Sequence, residues 1–176
     1  MSTHVFTTYA GIQFDLLNPK PEDIHIADIA HALSQQCRYN GHCDSFYSVA
    51  QHSVLVSQVV PPGLAVRALL HDAAEAYVGD IVRAVKRLPW LRASWEAFES
   101  TIQDVICESF GIEAEMAPEI KEADDRMALT EMRDLFRHEF PPSLVRDGLL
   151  PYAFRISPMS NRIAESTFLN HLREAL

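Results

Sequence analysis

Prolines and glycines cut this chain at intervals that leave room for helices and little else. Pro19 and Pro21, Asn40-Gly41, Pro61-Pro62-Gly63, Gly79, Pro89, Gly111, Pro118, Pro141-Pro142 and Pro158 punctuate it, and these residues are the strongest local breakers of regular structure. Most of the stretches between them repeat apolar residues at helical spacing. Glu22 or Asp23 is expected to open a helix whose apolar face carries Ile26, Ile29, Ala30 and Leu33. Cys37 to Asp44 reads as a loop. A second helix is expected from Asp44 or Ser45, both good caps, to Val60. A third runs from Leu64 to Val78, with Gly79 as its stop. Ile81 to Leu88 reads as a short turn closed by Pro89. Ser94 to Phe110 repeats Trp95, Phe98, Ile102, Val105 and Ile106 on one face and ends at Gly111. Pro118 sits in the first turn of a helix running to about Arg137. The stretch from Pro141-Pro142 to Pro158 is irregular, and a last helix runs from Pro158 or Ser160 to about Leu172. Only Thr3 to Leu17, rich in Thr, Val, Phe, Tyr and Ile around Ala10-Gly11, reads as β-structure, a small hairpin. The expected fold class is mainly α: a helical bundle of six or seven helices with a small N-terminal β-hairpin. At 176 residues, the expected organisation is one domain over 1–176.

Charge narrows the partners. The chain carries 24 acids against 15 bases, a net −9. Duplex nucleic acid and anionic membranes draw their affinity from basic surfaces, so neither is expected as a partner. No apolar run approaches the roughly 18 residues of a membrane span. Met1 to Phe14 lacks the basic flank and apolar core of a signal peptide. The three cysteines, Cys37, Cys43 and Cys107, cannot all pair. A cytoplasmic, reduced protein is the expectation.

The densest chemistry lies in ten residues. His71-Asp72 ends the apolar run Ala65 to Leu70, Glu75 follows about one helical turn later, and Gly79-Asp80 closes the segment. Buried charge is costly unless it is paired or bound to a metal. Imidazole beside carboxylate suits a divalent transition metal. Adjacent residues on a continuous helix point about 100° apart, so one ion must sit off the flank between His71 and Asp72. His52 lies among apolar neighbours in Val49 to Leu55, and taken alone it reads better as a core histidine with one satisfied nitrogen. Asp124 and Asp125 both border an apolar face, and the pattern alone does not separate them. There is no H-E-x-x-H, no phosphate-cradling glycine-rich loop and no G-x-S-x-G. Cys37, His42 and Cys43 lack the spacing and second pair of a zinc knuckle.

Together these residues resemble the HD-domain metal-dependent phosphohydrolases, in particular the small nucleotide-acting branch of bacterial 5′-deoxynucleotidases and phage deoxynucleoside triphosphate hydrolases. The resemblance rests on Gln51-His52-Ser53, His71-Asp72-Ala73-Ala74-Glu75-Ala76-Tyr77, Gly79-Asp80 and Lys121-Glu122-Ala123-Asp124. Leu17-Asn18-Pro19, Cys37-Arg38-Tyr39-Asn40-Gly41-His42 and Phe46-Tyr47-Ser48-Val49-Ala50 extend it. It covers the first 135 residues or so. It implies an HD-domain bundle with His52, His71, Asp72 and Asp124 as metal ligands. Glu75 and Asp80 would be the catalytic acids, and Arg38, Lys86 and Lys121 would bind substrate phosphate. The implied metal is cobalt, manganese, zinc or iron, with magnesium allowed. The implied reaction is attack of an activated water on the phosphorus of a deoxynucleotide, releasing phosphate or triphosphate, by a homo-oligomeric enzyme. The resemblance also leaves room for another phosphoester, such as a cyclic nucleotide or an alarmone, and for a catalytically idle nucleotide-binding module. His52 and His71 stand closer together than their counterparts in the better-known 5′-deoxynucleotidases, so the loop shaping the pocket differs.

Overall fold

The structure, a computed structural model, describes residues 4–138 and 148–176. The N-terminal hairpin is present. Strands β1 (Val5–Thr7) and β2 (Gln13–Asp15) pair antiparallel with Phe6 opposite Phe14. Gly11, at φ +88°, makes the reversal that a side chain would resist. Phe14 is fully buried and stacks on Tyr77 at 4.2 Å, which fastens the hairpin to the helical body. Of the expected hairpin, Thr3 lies outside the described residues.

Eight α-helices follow among the described residues: α1 (Ile26–Gln35), α2 (Val49–Val59), α3 (Ala65–Leu69), α4 (Glu75–Val78), α5 (Arg83–Lys86), α6 (Arg92–Phe110), α7 (Pro118–Leu135) and α8 (Asn161–Ala175). The described residues are mainly helical with a small two-stranded sheet. The count exceeds six or seven because the expected third helix is split in two and the expected turn at 81–88 winds into α5. No described helix is long and apolar enough to cross a membrane.

Several ends differ from expectation for local reasons. Glu22 and Asp23 fall in a single 3-10 turn, Pro21–Asp23; Ile24 and His25 are extended, so α1 starts afresh at Ile26. Asp44 and Ser45 do not cap α2. The strand-like path before it is held by Arg38 N–H to Tyr47 C=O at 2.9 Å and by a bridge between Cys37 and Ser48. The cap is Ser48, whose hydroxyl accepts from Gln51 N–H at 3.1 Å. Gly79 and Gly111, both at positive φ, stop α4 and α6 where the sequence placed the stops. Ser160 caps α8. Of the stretch expected to be irregular, 141–147 lies outside the described residues and 148–158 forms no helix or strand.

α2 is the central element. It packs on α1, α3, α7 and α8 and is buried almost all round, so its apolar residues do not form a single stripe. Val49, Ala50 and Val54 join a core with Ile29, Leu33, Leu70, Ile102 and Phe168. Val56 joins a second core with Tyr47, Ala68, Ile120 and Met127. On α6, Phe98 packs on the first core, whereas Trp90, just before the helix, is 76% exposed.

Candidate functional site

Four polar residues of α2, Gln51, His52, Ser53 and Ser57, lie inside the molecule, so each must find a partner. Ser53 and Ser57 donate to carbonyls of their own helix. His52, 0% exposed, points its two ring nitrogens in different directions. Nδ1 lies 2.6 Å from Glu131 Oε1 on α7. Nε2 faces a cluster: His71 Nε2 at 3.4 Å, Asp124 Oδ1 at 3.4 Å and Asp72 Oδ2 at 3.6 Å.

His71 and Asp72 reach that cluster because the helix carrying them is broken. Leu70 leaves helical geometry, the chain turns through Ala74, and α4 begins at Glu75. The two adjacent side chains therefore converge, with His71 Nε2 3.3 Å from Asp72 Oδ2. His71 Nδ1 faces the Ala68 carbonyl at 2.7 Å. Both histidines thus have Nδ1 against an acceptor; in the neutral ring the N–H would sit there and the Nε2 lone pair would face the cluster.

A group made of His52, His71 and Asp72 can hold a metal ion, with one ligand atom from each within 4.8 Å of the others. Asp124 stands beside this group, its Oδ2 held by Arg83 at 2.8 Å. Two neutral imidazoles and hard carboxylate oxygens fit a divalent transition ion. The electrostatics agree. Burial works against charge on His71, but Asp72 and Asp124 outweigh it and lift its pKa to about 8. Burial opposes charge on Asp72 and Asp124 too, yet the histidines hold both carboxyls below their usual range. The cluster recruits positive charge, which a proton or a cation can supply.

His71, Asp72 and Asp124 line a cleft of about 900 Å³, and His52 is fully buried behind them. Glu75 and Asp80 line it as well. Burial, reinforced by Asp72 and Asp80, pushes the Glu75 carboxyl well above the ordinary range, and burial also raises Asp80. The three bases singled out in the sequence also line the cleft, each already facing carboxylates. Arg38 lies 3.4 Å from both Asp72 and Glu131. Lys86 bridges Glu75 at 3.2 Å and Glu99 at 2.7 Å. Lys121 meets Asp125 at 2.5 Å and Asp124 at 3.5 Å. Ile81, Val82, Leu129 and Met132 give the cleft an apolar side.

Two residues at the site escaped the sequence reading. Glu131 is 0% exposed and receives the Tyr39 hydroxyl at 2.5 Å and the Tyr47 hydroxyl at 2.9 Å besides His52. Burial alone would raise its carboxyl, but Arg38 and His52 prevail and hold it at about 2. Its signal was its place two helical turns after Asp124, on the same face of α7. Arg83 engages Asp124 and Asp125 from α5; its signal was only its nearness to Asp80. Between Asp124 and Asp125, it is Asp124 that faces His52.

The chain matches no family model. It is similar to YfdR of Escherichia coli (strain K12), an uncharacterized protein, with 45% identity over 128 residues, 73% of this chain and 70% of YfdR. It is also similar to an uncharacterized protein of Rhodobacter capsulatus, with 37% identity over 123 residues, 65% of this chain and 62% of that protein. At that identity and coverage, the chain belongs to the family of Escherichia coli YfdR.

Proposed function

We propose that this chain is a metal-dependent phosphohydrolase of the HD superfamily that acts on deoxynucleotides. The observation that carries the reading is the convergence of the buried His52 Nε2 on His71 Nε2, Asp72 and Asp124, the last three lining a cleft that also holds several bases. A bound divalent transition metal such as cobalt, manganese, zinc or iron would lower the pKa of a water and neutralise charge on a phosphoryl group. His52 and His71 are held for that task by Glu131 and by the Ala68 carbonyl. Asp72 and Asp124 keep their charge and complete the donor set.

The remaining residues divide the work on the substrate. Glu75, a carboxyl poised above its usual pKa next to Asp72, is suited to exchange a proton with the attacking water or the leaving oxygen. Asp80, raised by burial, is the second such acid. Arg38, Lys86 and Lys121 supply donors for phosphate oxygens, exchanging contacts with neighbouring carboxylates for contacts with substrate. Arg83, more than half exposed beside Asp124, adds a fourth. The apolar side of the cleft, with Leu129 and Met132, accommodates the uncharged part of a nucleoside.

The test is a panel of deoxynucleoside mono-, di- and triphosphates incubated with manganese or cobalt, with products resolved by chromatography and EDTA as control. Phosphate released from monophosphates makes the protein a 5′-nucleotidase. Triphosphate released from deoxynucleoside triphosphates makes it a triphosphohydrolase. If no nucleotide is turned over in an EDTA-sensitive way, the nucleotide reading falls.

A further inference from the structure

The break that brings His71 and Asp72 together needs a cause, because residues 65–78 favour one continuous helix. In such a helix the Ala74 N–H would donate to the Leu70 carbonyl four residues back. Here that bond is replaced. Gln103, on the neighbouring α6, accepts the Ala74 N–H at its Oε1 (3.0 Å) and donates from its Nε2 to the Leu70 carbonyl (2.8 Å). One side-chain amide is inserted into one rung of the helical ladder, a recognised cause of sharp kinks. Beyond the insertion, Glu75, Ala76 and Tyr77 donate to carbonyls three residues back, a tightened turn. A second glutamine closes the far end of the segment. Gln36, just after α1, donates from Nε2 to the Glu75 carbonyl at 2.8 Å and accepts the Asp80 N–H at 3.0 Å.

We propose that Gln103 is a positioning residue of the site, the wedge that keeps the 65–78 segment broken so that His71 and Asp72 face His52 and Asp124, with Gln36 fixing Glu75 and Asp80 at the other end. The inference rests on the reading of the cluster as a metal site. Without the wedge, the bond from Ala74 to Leu70 can form, the helix becomes continuous, and His71 and Asp72 diverge by about 100° around its axis.

The experiment uses the full chain as wild type, Gln103→Leu and Gln103→Glu. It measures manganese affinity by titration calorimetry, and helix content and thermal midpoint on metal-free protein. Gln103→Leu is expected to bind manganese roughly 10–100-fold more weakly, the loss typical of outer-shell partners, while helix content stays equal or rises. Gln103→Glu keeps the length and the bond from Ala74 but sets a carboxylate against the Leu70 carbonyl. It is expected to fall between the two, and it carries the test if the leucine variant does not fold. Folded variants that bind manganese as tightly as wild type overturn the inference. A wild-type protein that binds no manganese removes the metal reading itself, and this inference with it.

Discussion

Replacing Glu131 with alanine would remove the acceptor at the centre of the buried network behind the site. Glu131 is 0% exposed, lies 2.5, 2.9 and 2.6 Å from Tyr39, Tyr47 and His52, and faces Arg38 Nε at 3.4 Å. Breaking a buried charge pair by deleting one partner costs about 3–5 kcal/mol. Each polar group left without a partner costs about 1–3 kcal/mol more, though such losses do not add in full. Arg38 keeps Asp72, so a loss of about 4 kcal/mol is expected for Glu131→Ala. Against a typical total of about 5–15 kcal/mol, a urea unfolding series would show this plainly. Glu131→Gln, which keeps the volume, should lose less. The carboxyl, held at about 2 in the fold against an ordinary 4.5, works in one direction. Its contribution is complete above the unfolded pKa and is lost as pH falls from about 5 towards 2. The stability gap between wild type and Glu131→Gln should therefore shrink on acidification of metal-free protein. A loss below about 1 kcal/mol for Glu131→Ala would refute the account of this network.

Other predictions test the parts separately. Phe168 is fully buried in the core that α8 shares with α1 and α2, so Phe168→Ala should cost about 3–5 kcal/mol in the same unfolding assay. Gly79 holds φ +87° and ψ 152°, and an added Cβ would meet nothing within 4 Å, so the penalty for Gly79→Ala is backbone strain alone. It should cost about 1–3 kcal/mol, whereas Gly63→Ala, with open space and no positive φ, should stay within about 0.5 kcal/mol of wild type. Manganese at about 100 times its dissociation constant should stabilise the wild type by about 2.7 kcal/mol and leave His71→Ala unchanged, as read by thermal shift with and without EDTA.

Much of the fold is legible in the sequence because it is local. The hairpin, α6 with its glycine stop, the proline start of α7 and the capped α8 follow from breakers, caps and apolar period. What is not legible comes from elsewhere in the chain. The run Ala65 to Val78 has no internal breaker, and its split depends on Gln103, nearly thirty residues away in sequence. The late start of α2 depends on backbone pairing of Arg38 with Tyr47. The residues singled out for metal binding come from three separate segments and meet at one point. Spacing alone could not have brought them there. Glu131 was missed because a glutamate in the polar stretch of α7 looks solvated until the tyrosines and Arg38 are seen to enclose it.

The most direct measurement compares wild type, His71→Ala and Asp72→Ala, each shown to be folded by circular dichroism, for bound manganese and for hydrolysis of deoxynucleotides. The account predicts that the wild type binds the metal and turns over at least one deoxynucleotide, and that both variants fold but lose metal and turnover together. Hydrolysis that survives in the folded variants, or that persists in EDTA, would contradict it.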